Sequence, residues 1–138
     1  EKYEGVAAWH KELGNEAIRF NKITNKSGRQ YAFPDVKRNA RGGVSHFTMI
    51  KNYPVQGFAT GDIVPVVLIE MEERMKHLKS CLVNTVHDSS VADIHPEEKD
   101  EVLQIIEDMN EDLTNLIEKS YGVKMNVPLL LESKIGPN

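Results

Sequence analysis

Apolar positions between Tyr3 and Phe20 recur at spacings of three and four, the period of one face of an amphipathic helix. This pattern predicts a helix over residues 1–23. The turn sequence Lys26-Ser27-Gly28-Arg29 follows, with a short stretch of chain on either side. It predicts a small hairpin that continues into a basic, glycine-containing loop, together residues 24–43.

The remainder of the chain predicts four more elements. Residues 44–79 have a helical pattern with two internal prolines, which remove backbone donors and predict kinks. Residues 80–95 are typical of two strands joined by a polar tip, residues 97–120 of an amphipathic helix, and residues 127–133 of a last strand. Because helices alternate with antiparallel hairpins, we expect an α+β fold with a small antiparallel sheet packed against long helices.

Length and composition exclude several classes of protein. A chain of 138 residues predicts one domain. The absence of an initiator Met, and a first residue already in a helical pattern, suggest that residues 1–138 are a partial domain of something larger. The single cysteine excludes an internal disulfide and a Cys-based zinc site. The apolar run from Ile63 to Ile69 is too short to span a bilayer, so we expect no membrane association.

The formal net charge of -4 excludes a small basic protein of the histone type, but the charge is unevenly distributed. Residues 22–51 hold seven basic residues and one acidic residue, whereas the rest of the chain holds ten basic and twenty acidic residues. Such a basic segment fits either a polyanion-binding surface or an ordinary solvated loop, and charge alone favours neither.

The polar tip of the second hairpin, His87-Asp88, is the first candidate site. An aspartate in a turn commonly bonds its own backbone, which is the simpler interpretation. The alternative is metal ligation, because a carboxylate suits Mg²⁺, which takes one or two protein carboxylates together with substrate phosphates. A metal phosphohydrolase would need further His and Asp ligands, and the other histidines show no such spacing.

The segment Asn52-Tyr53-Pro54-Val55-Gln56-Gly57 is the second candidate site. Asn52 and Gln56 are four residues apart and share one face if the backbone is helical. Their amides can bond base edges or sugar oxygens. A kinked helix with two surface amides is the alternative interpretation.

Taken in order, several short motifs resemble the C-terminal end of the family A DNA polymerases, the class of bacterial DNA polymerase I and many phage replicases. The matching stretches are Tyr3-Glu4-Gly5-Val6, Gly28-Arg29-Gln30-Tyr31, Phe33-Pro34-Asp35-Val36-Lys37, Asn52-Tyr53-Pro54-Val55-Gln56-Gly57, Val86-His87-Asp88 and Val127-Pro128-Leu129-Leu130. They run in the family's order over essentially the whole chain. Ser89, where many bacterial members have Glu, resembles the phage-type members.

The resemblance implies a fragment of the polymerase palm. It implies that Asp88 is one of two carboxylates that hold the catalytic metal ions, Mg²⁺ in a two-metal site, and that His87 lies beside the primer terminus. It further implies that Asn52 and Gln56 contact the primer–template from the minor-groove side. Many members carry arginine where this chain has Thr48, and Lys51 is a partial substitute. From the basic segment we add Lys37, Arg38 and Arg41 as contacts to DNA phosphates.

The second metal-binding aspartate and the fingers helix that grips the nucleotide lie upstream of the matching region in the family. We therefore expect the chain alone to be inactive, as a fragment or one half of a split polymerase. The expected partners are primer–template DNA, deoxynucleoside triphosphates and the upstream portion, with self-association of exposed strand edges. The expected location is the cytoplasm of a bacterial cell or a phage-infected host. A non-catalytic DNA-binding module and a His-Asp metal-dependent phosphohydrolase remain as alternatives.

Overall fold

The computed structural model describes residues 3–136, and within them it contains four α-helices and two small antiparallel sheets. This arrangement confirms the α+β class. The elements are α1 (Glu4–Phe20), β1 (Lys22–Thr24), β2 (Gln30–Ala32), α2 (Phe47–Gln56), a π-helical segment (Gly57–Ile63), α3 (Val64–Met75), β3 (Cys81–Val86), β4 (Ser89–Asp93), a 3-10 turn (Pro96–Glu98) and α4 (Lys99–Tyr121).

Packing divides the chain into two compact units, which we call the N-terminal unit (up to Gly61) and the C-terminal unit (from Asp62 onward). The single partial domain that we expected over residues 1–138 stays a prediction. The two units also differ in net charge. The sequence up to Gly61 holds ten basic and five acidic residues, whereas the sequence from Asp62 holds seven basic and sixteen acidic residues.

The N-terminal unit has its own hydrophobic core beneath α1. The helix ends at Phe20 and is capped by Asn21, which adopts a left-handed conformation (φ 53°) and donates its N–H to Ala17 O at 2.9 Å. The chain then turns directly into β1, which pairs with β2 in the predicted hairpin. Buried side chains from α1, the hairpin, the following loop and α2 form the core: Leu13, Ala17, Ile23, Phe33, Val36 and Ile50.

The long kinked helix predicted over residues 44–79 begins at Phe47, ends at Met75 and is interrupted differently from our expectation. Pro54 lies inside α2, and the backbone widens into the π-helical segment three residues later, at Gly57. Pro65 lies in the first turn of α3, where a missing N–H breaks no helical hydrogen bond. The irregularity is therefore a run of wide turns between the prolines, and such π segments are frequent at functional sites.

The C-terminal unit is built on α3 and α4. Its buried residues follow the helical period on both helices: Val67, Met71, Met75, Val102, Met109, Leu113 and Ile117. Arg74 of α3 bonds Glu70 at 2.7 Å and reaches Asp112 of α4 at 2.9 Å, which ties the two helices together at the edge of this core. In the described part of the chain, no helix is long and apolar enough to cross a membrane.

The strand predicted over residues 127–133 is not formed in the structure. A strand needs a neighbouring strand to bond its backbone N–H and C=O groups, whereas Leu131 of this segment bonds the side chain of Asn110. The N–H of Leu131 donates to Asn110 Oδ1 at 2.6 Å, and Asn110 Nδ2 donates to Leu131 O at 3.2 Å. At Leu131 the Asn110 amide of α4 thus bonds the backbone N–H and C=O that would pair with a neighbouring strand in a sheet.

Candidate metal and nucleic-acid sites

The His87-Asp88 tip is the two-residue connection between β3 and β4, in which Val86 pairs with Ser89. Ser89 Oγ donates to Val86 O at 2.8 Å and closes the turn. His87 adopts φ 57°, a left-handed conformation that is uncommon for residues other than glycine. The tip therefore holds two chemically active side chains on a tight turn whose backbone would suit glycine better.

The strands below the tip form a two-stranded sheet with an irregular register. The pairing shifts between Leu82 and Asn84, which leaves Val83 as a bulge on β3. Val83, Val86 and Val91 are each about half exposed, at 55%, 50% and 48%. An isolated hairpin of this kind is marginally stable in water, so other contacts must hold it in place.

Glu98 fixes the open end of this hairpin. Its carboxylate accepts hydrogen bonds from the Lys79 N–H at 3.0 Å, the Ser80 N–H at 2.9 Å and the Ser80 hydroxyl at 2.7 Å. Ser80 Oγ in turn accepts the N–H of His95 at 2.9 Å. The hydrogen bonds from Lys79 and Ser80 lower the pKa of Glu98 to about 2. The sequence contains no signal for this contact, because Glu98 and Ser80 are 18 positions apart.

The Asp88 carboxylate is exposed and makes no hydrogen bond or ion pair with any residue of the described range 3–136. It is therefore available as one hard oxygen ligand for Mg²⁺. Within the same range, no three His, Cys, Asp or Glu side chains are grouped so that they could hold a metal ion. Asp88 fits a metal site of which it is one ligand, with the others supplied by substrate phosphates or by further protein residues.

The amide pair lies on α2 in the N-terminal unit. Asn52 and Gln56 are exposed, are four residues apart on α2 and share one face of that helix. Neither side-chain amide is bonded within residues 3–136, so both can meet an external partner. Gly57, the next residue, lies against the ring of Tyr31, where even a Cβ atom would collide with the phenol.

The basic residues divide into two groups by their contacts. The Lys37 and Arg41 side chains are exposed and make no hydrogen bond or ion pair with the described residues. Arg38 is held in place, because its guanidinium donates to Asn15 Oδ1 at 2.6 Å and to Gly42 O at 3.1 Å. Lys51 lies over the Phe47 ring, 4.8 Å from the centroid.

The structure thus brings part of the predicted site together. The candidate DNA contacts all lie in the N-terminal unit, on α2 and on the preceding loop: Asn52, Gln56, Lys51, Lys37, Arg38 and Arg41. His87 and Asp88 lie in the C-terminal unit. The role that we assigned to each residue stays a prediction.

Comparison with known proteins identifies the family. The model of DNA polymerase family A matches residues 1–138, the whole chain. The chain is 33% identical to DNA polymerase I of Caldicellulosiruptor bescii over 93% of its length and 28% identical to DNA polymerase I of Lactococcus lactis over 99%. It is also 26% identical to a DNA polymerase of Bacillus phage SP01 over 99%. It spans about 15% of the length of each of these relatives.

A solved structure has the same fold. The POL domain of Pol1 from M. smegmatis, in complex with DNA primer-template and dNTP, matches 81% of this chain and 20% of that chain with a TM-score of 0.66 at 24% identity. The fold of this chain is therefore similar to that of a polymerase domain. Together with the match over the whole chain, this shows that the protein belongs to DNA polymerase family A.

Proposed function

We propose that this chain forms part of the palm of a DNA-directed DNA polymerase, where Asp88 is one of the carboxylates that hold the catalytic metal ions. The observation that carries the proposal is the exposed Asp88 carboxylate at a hairpin tip, in a chain that matches the polymerase family from end to end. Every oxygen of that carboxylate is available for a cation.

The proposed reaction is the addition of a deoxynucleotide to a primer 3′ end. Asp88, together with a carboxylate outside this chain, would hold the metal ions, and these ions would supply Lewis-acid activation of the primer 3′ oxygen that attacks the α-phosphate and charge stabilisation of the pyrophosphate that leaves. Asp88 supplies negative charge that holds the cations, and His87 lies beside the primer terminus. Asn52 and Gln56 supply amide donors and acceptors to the minor-groove edges of the primer–template. Lys51, Lys37, Arg38 and Arg41 contact phosphates.

The proposed partners are primer–template DNA, deoxynucleoside triphosphates and a further polymerase portion that contributes the fingers and the second carboxylate. The half-exposed valines and the unpaired edges of β3 and β4, within the described residues, offer a surface that this portion would cover. Without it, the same edges favour self-association. The bacterial and phage relatives support the cytoplasm of a bacterial cell or an infected host as the place of action.

Primer extension tests the proposal. The chain alone is expected to be inactive, whereas a mixture with the upstream portion of the polymerase extends a primer. Asp88→Asn is expected to reduce that extension at least about 100-fold, because a metal-held transition state is worth several kcal/mol. Asp93→Asn is the matched control, since Asp93 is exposed at the other end of the same hairpin. Extension by the chain alone, or full activity of Asp88→Asn, would refute the proposal.

Two alternatives make different predictions in the same assays. A non-catalytic DNA-binding module is favoured by the exposed Lys37 and Arg41 side chains. It predicts unchanged DNA binding after Asp88→Asn and no extension by any mixture. A His-Asp phosphohydrolase predicts nucleotide hydrolysis by the chain alone, abolished by substitution of His87 or Asp88. Within residues 3–136, the structure groups no additional ligands beside this pair.

A further inference from the structure

A cavity in the N-terminal unit is lined by Arg38, to which we assigned a phosphate contact, and by residues of α1 that have no role in the proposed function. It lies between α1 and the loop that leads into α2, with a volume of about 470 Å³. Its polar wall carries His10, Lys11 and Asn15 of α1 together with Arg38, and no carboxylate of residues 3–136 lines it. Phe47, Val44 and Ala7 form an apolar floor. A cavity with cationic walls and no acidic residue selects for an anion.

The guanidinium of Arg38 is already oriented in this cavity. Asn15 Oδ1 accepts one of its N–H groups at 2.6 Å and Gly42 O accepts another at 3.1 Å. A guanidinium has five N–H donors, so three remain for an incoming oxyanion. Because the side chain is held before binding, less rotamer entropy is lost when the ligand arrives.

The loop that forms the other wall is also fixed from within. Asn39 Oδ1 accepts the N–H groups of Arg41 at 3.0 Å and Gly43 at 2.8 Å, and the Asn39 N–H donates to Gly43 O at 2.8 Å. On the helix side, Gly14 allows Phe47 and Val44 to approach closely, since a Cβ there would lie 3.2 and 3.3 Å from them. The cavity is therefore a formed feature of the unit.

We propose that this cavity binds a phosphate of the DNA backbone, with Lys11 and Arg38 as the phosphate contacts and Asn15 as the residue that positions Arg38. The inference rests on the proposed function for its choice of DNA as the anion. Lys11 is exposed and makes no hydrogen bond or ion pair within the described residues. The apolar floor suits the C–H groups of a sugar next to the phosphate. The excess of basic residues up to Gly61 supplies the attractive field.

The test is the salt dependence of binding of a fluorescein-labelled primer–template duplex to the whole chain, measured by fluorescence anisotropy. Each phosphate contact contributes about 0.9 to the slope of log K against log salt concentration. Lys11→Gln is expected to reduce the slope by about 1. Lys26→Gln, the same change at the β1–β2 turn away from the cavity, is expected to leave it unchanged.

Asn15→Ala separates positioning from charge. It alters no charge and raises the helix propensity of α1, which offsets the loss of the hydrogen bond to Arg38. It is expected to lower the affinity several-fold with a slope reduced by less than 1, because Arg38 loses its support. Equal slopes for Lys11→Gln and Lys26→Gln, or no salt-dependent binding at all, would overturn the proposal. Displacement of the duplex by about 1 mM inorganic phosphate at constant ionic strength would identify a free anion instead and overturn the assignment to DNA.

These outcomes are distinct from a failure of the proposed function. Asp88 lies in the C-terminal unit, so Asp88→Asn is expected to abolish primer extension. The same substitution is expected to leave the slope of log K against log salt concentration unchanged, because that slope depends on residues of the N-terminal unit. If Asp88→Asn abolishes primer extension but Lys11→Gln does not change the salt dependence of DNA binding, the proposed function stands. Only the assignment of the cavity as a phosphate site is then wrong.

Discussion

Gly57→Ala tests whether the close approach at the start of the π-helical segment determines the stability of the N-terminal unit. Gly57 has helical dihedrals (φ -66°), so alanine needs no unusual backbone there. The added Cβ would collide with Tyr31 Oη and lie 2.7 Å from Cζ of the same ring. The Tyr31 ring, which contacts the core, must therefore move.

The expected magnitude comes from two opposing effects. Replacing glycine by alanine within a helix stabilises it by about 0.8–1.0 kcal/mol. Forcing extra volume into a packed site costs about 1–3 kcal/mol. Gly61→Ala, in the same π-helical segment, is the matched control because its nearest atoms belong to Arg29, at 3.8 Å, which is ordinary contact. Gly57→Ala is thus expected to be about 1–3 kcal/mol less stable than Gly61→Ala.

Urea unfolding followed by Trp9 fluorescence measures this difference. Trp9 is the single tryptophan of the chain and packs against the core of the N-terminal unit, so it reports on the affected region. The two alanine variants are then compared again in a Tyr31→Phe background, which lacks the hydroxyl. The difference between their free energies of unfolding is expected to become smaller. If Gly57→Ala is as stable as Gly61→Ala, the close approach has no energetic role and the reasoning fails.

Three further predictions concern the C-terminal unit. Ile117→Ala is expected to cost about 2–5 kcal/mol in urea unfolding followed by circular dichroism, since Ile117 is fully buried; a loss below about 1 kcal/mol would contradict this. The low pKa of Glu98, about 2, means that its stabilisation is complete above the unfolded value near 4.5 and is lost as the pH falls toward 2. The protection factors of the Lys79 and Ser80 amides against hydrogen exchange should therefore fall over that range, and Glu98→Gln should lower them already at pH 7. His87→Gly is expected to change the free energy of unfolding by no more than about 1 kcal/mol, because glycine suits φ 57°. The same substitution is expected to lower primer extension by the mixture with the upstream portion of the polymerase.

Periodicity predicted the elements that form their contacts locally. The helical spacing from Tyr3 to Phe20 gave α1, and the two turn signals gave both hairpins with the polar tip at His87-Asp88. These patterns depend on neighbours three or four residues apart, or on two adjacent strands, which a sequence displays directly. The family resemblance, carried by ordered short motifs, was confirmed by the match over the whole chain.

The features that sequence reasoning missed depend on contacts between distant residues. Glu98 reaches back to Ser80 across the whole hairpin, and Arg38 bonds Asn15 across 23 positions. Neither pairing has a periodic signature. The strand predicted near Leu131 is another example, since its local pattern was suitable but the backbone groups of Leu131 bond the Asn110 amide of α4 and not a neighbouring strand. The local sequence preference thus predicted which secondary structure each segment could adopt. The contacts with distant residues determined which secondary structure it adopts.

The two ends of the β3–β4 hairpin have different environments. If Asp88 holds a cation as we propose, its oxygens must remain accessible to that cation, and the exposed carboxylate at the tip meets this requirement. Within residues 3–136 the Asp88 side chain makes no hydrogen bond that would stabilise the hairpin. The stabilising hydrogen bonds lie at the opposite end, where Glu98 accepts three donors from Lys79 and Ser80. Thus the Glu98 carboxylate is hydrogen-bonded, whereas the Asp88 carboxylate makes no hydrogen bond within residues 3–136. A substitution that removes the hydrogen bonds of Glu98 should therefore displace the hairpin tip without altering the Asp88 side chain itself.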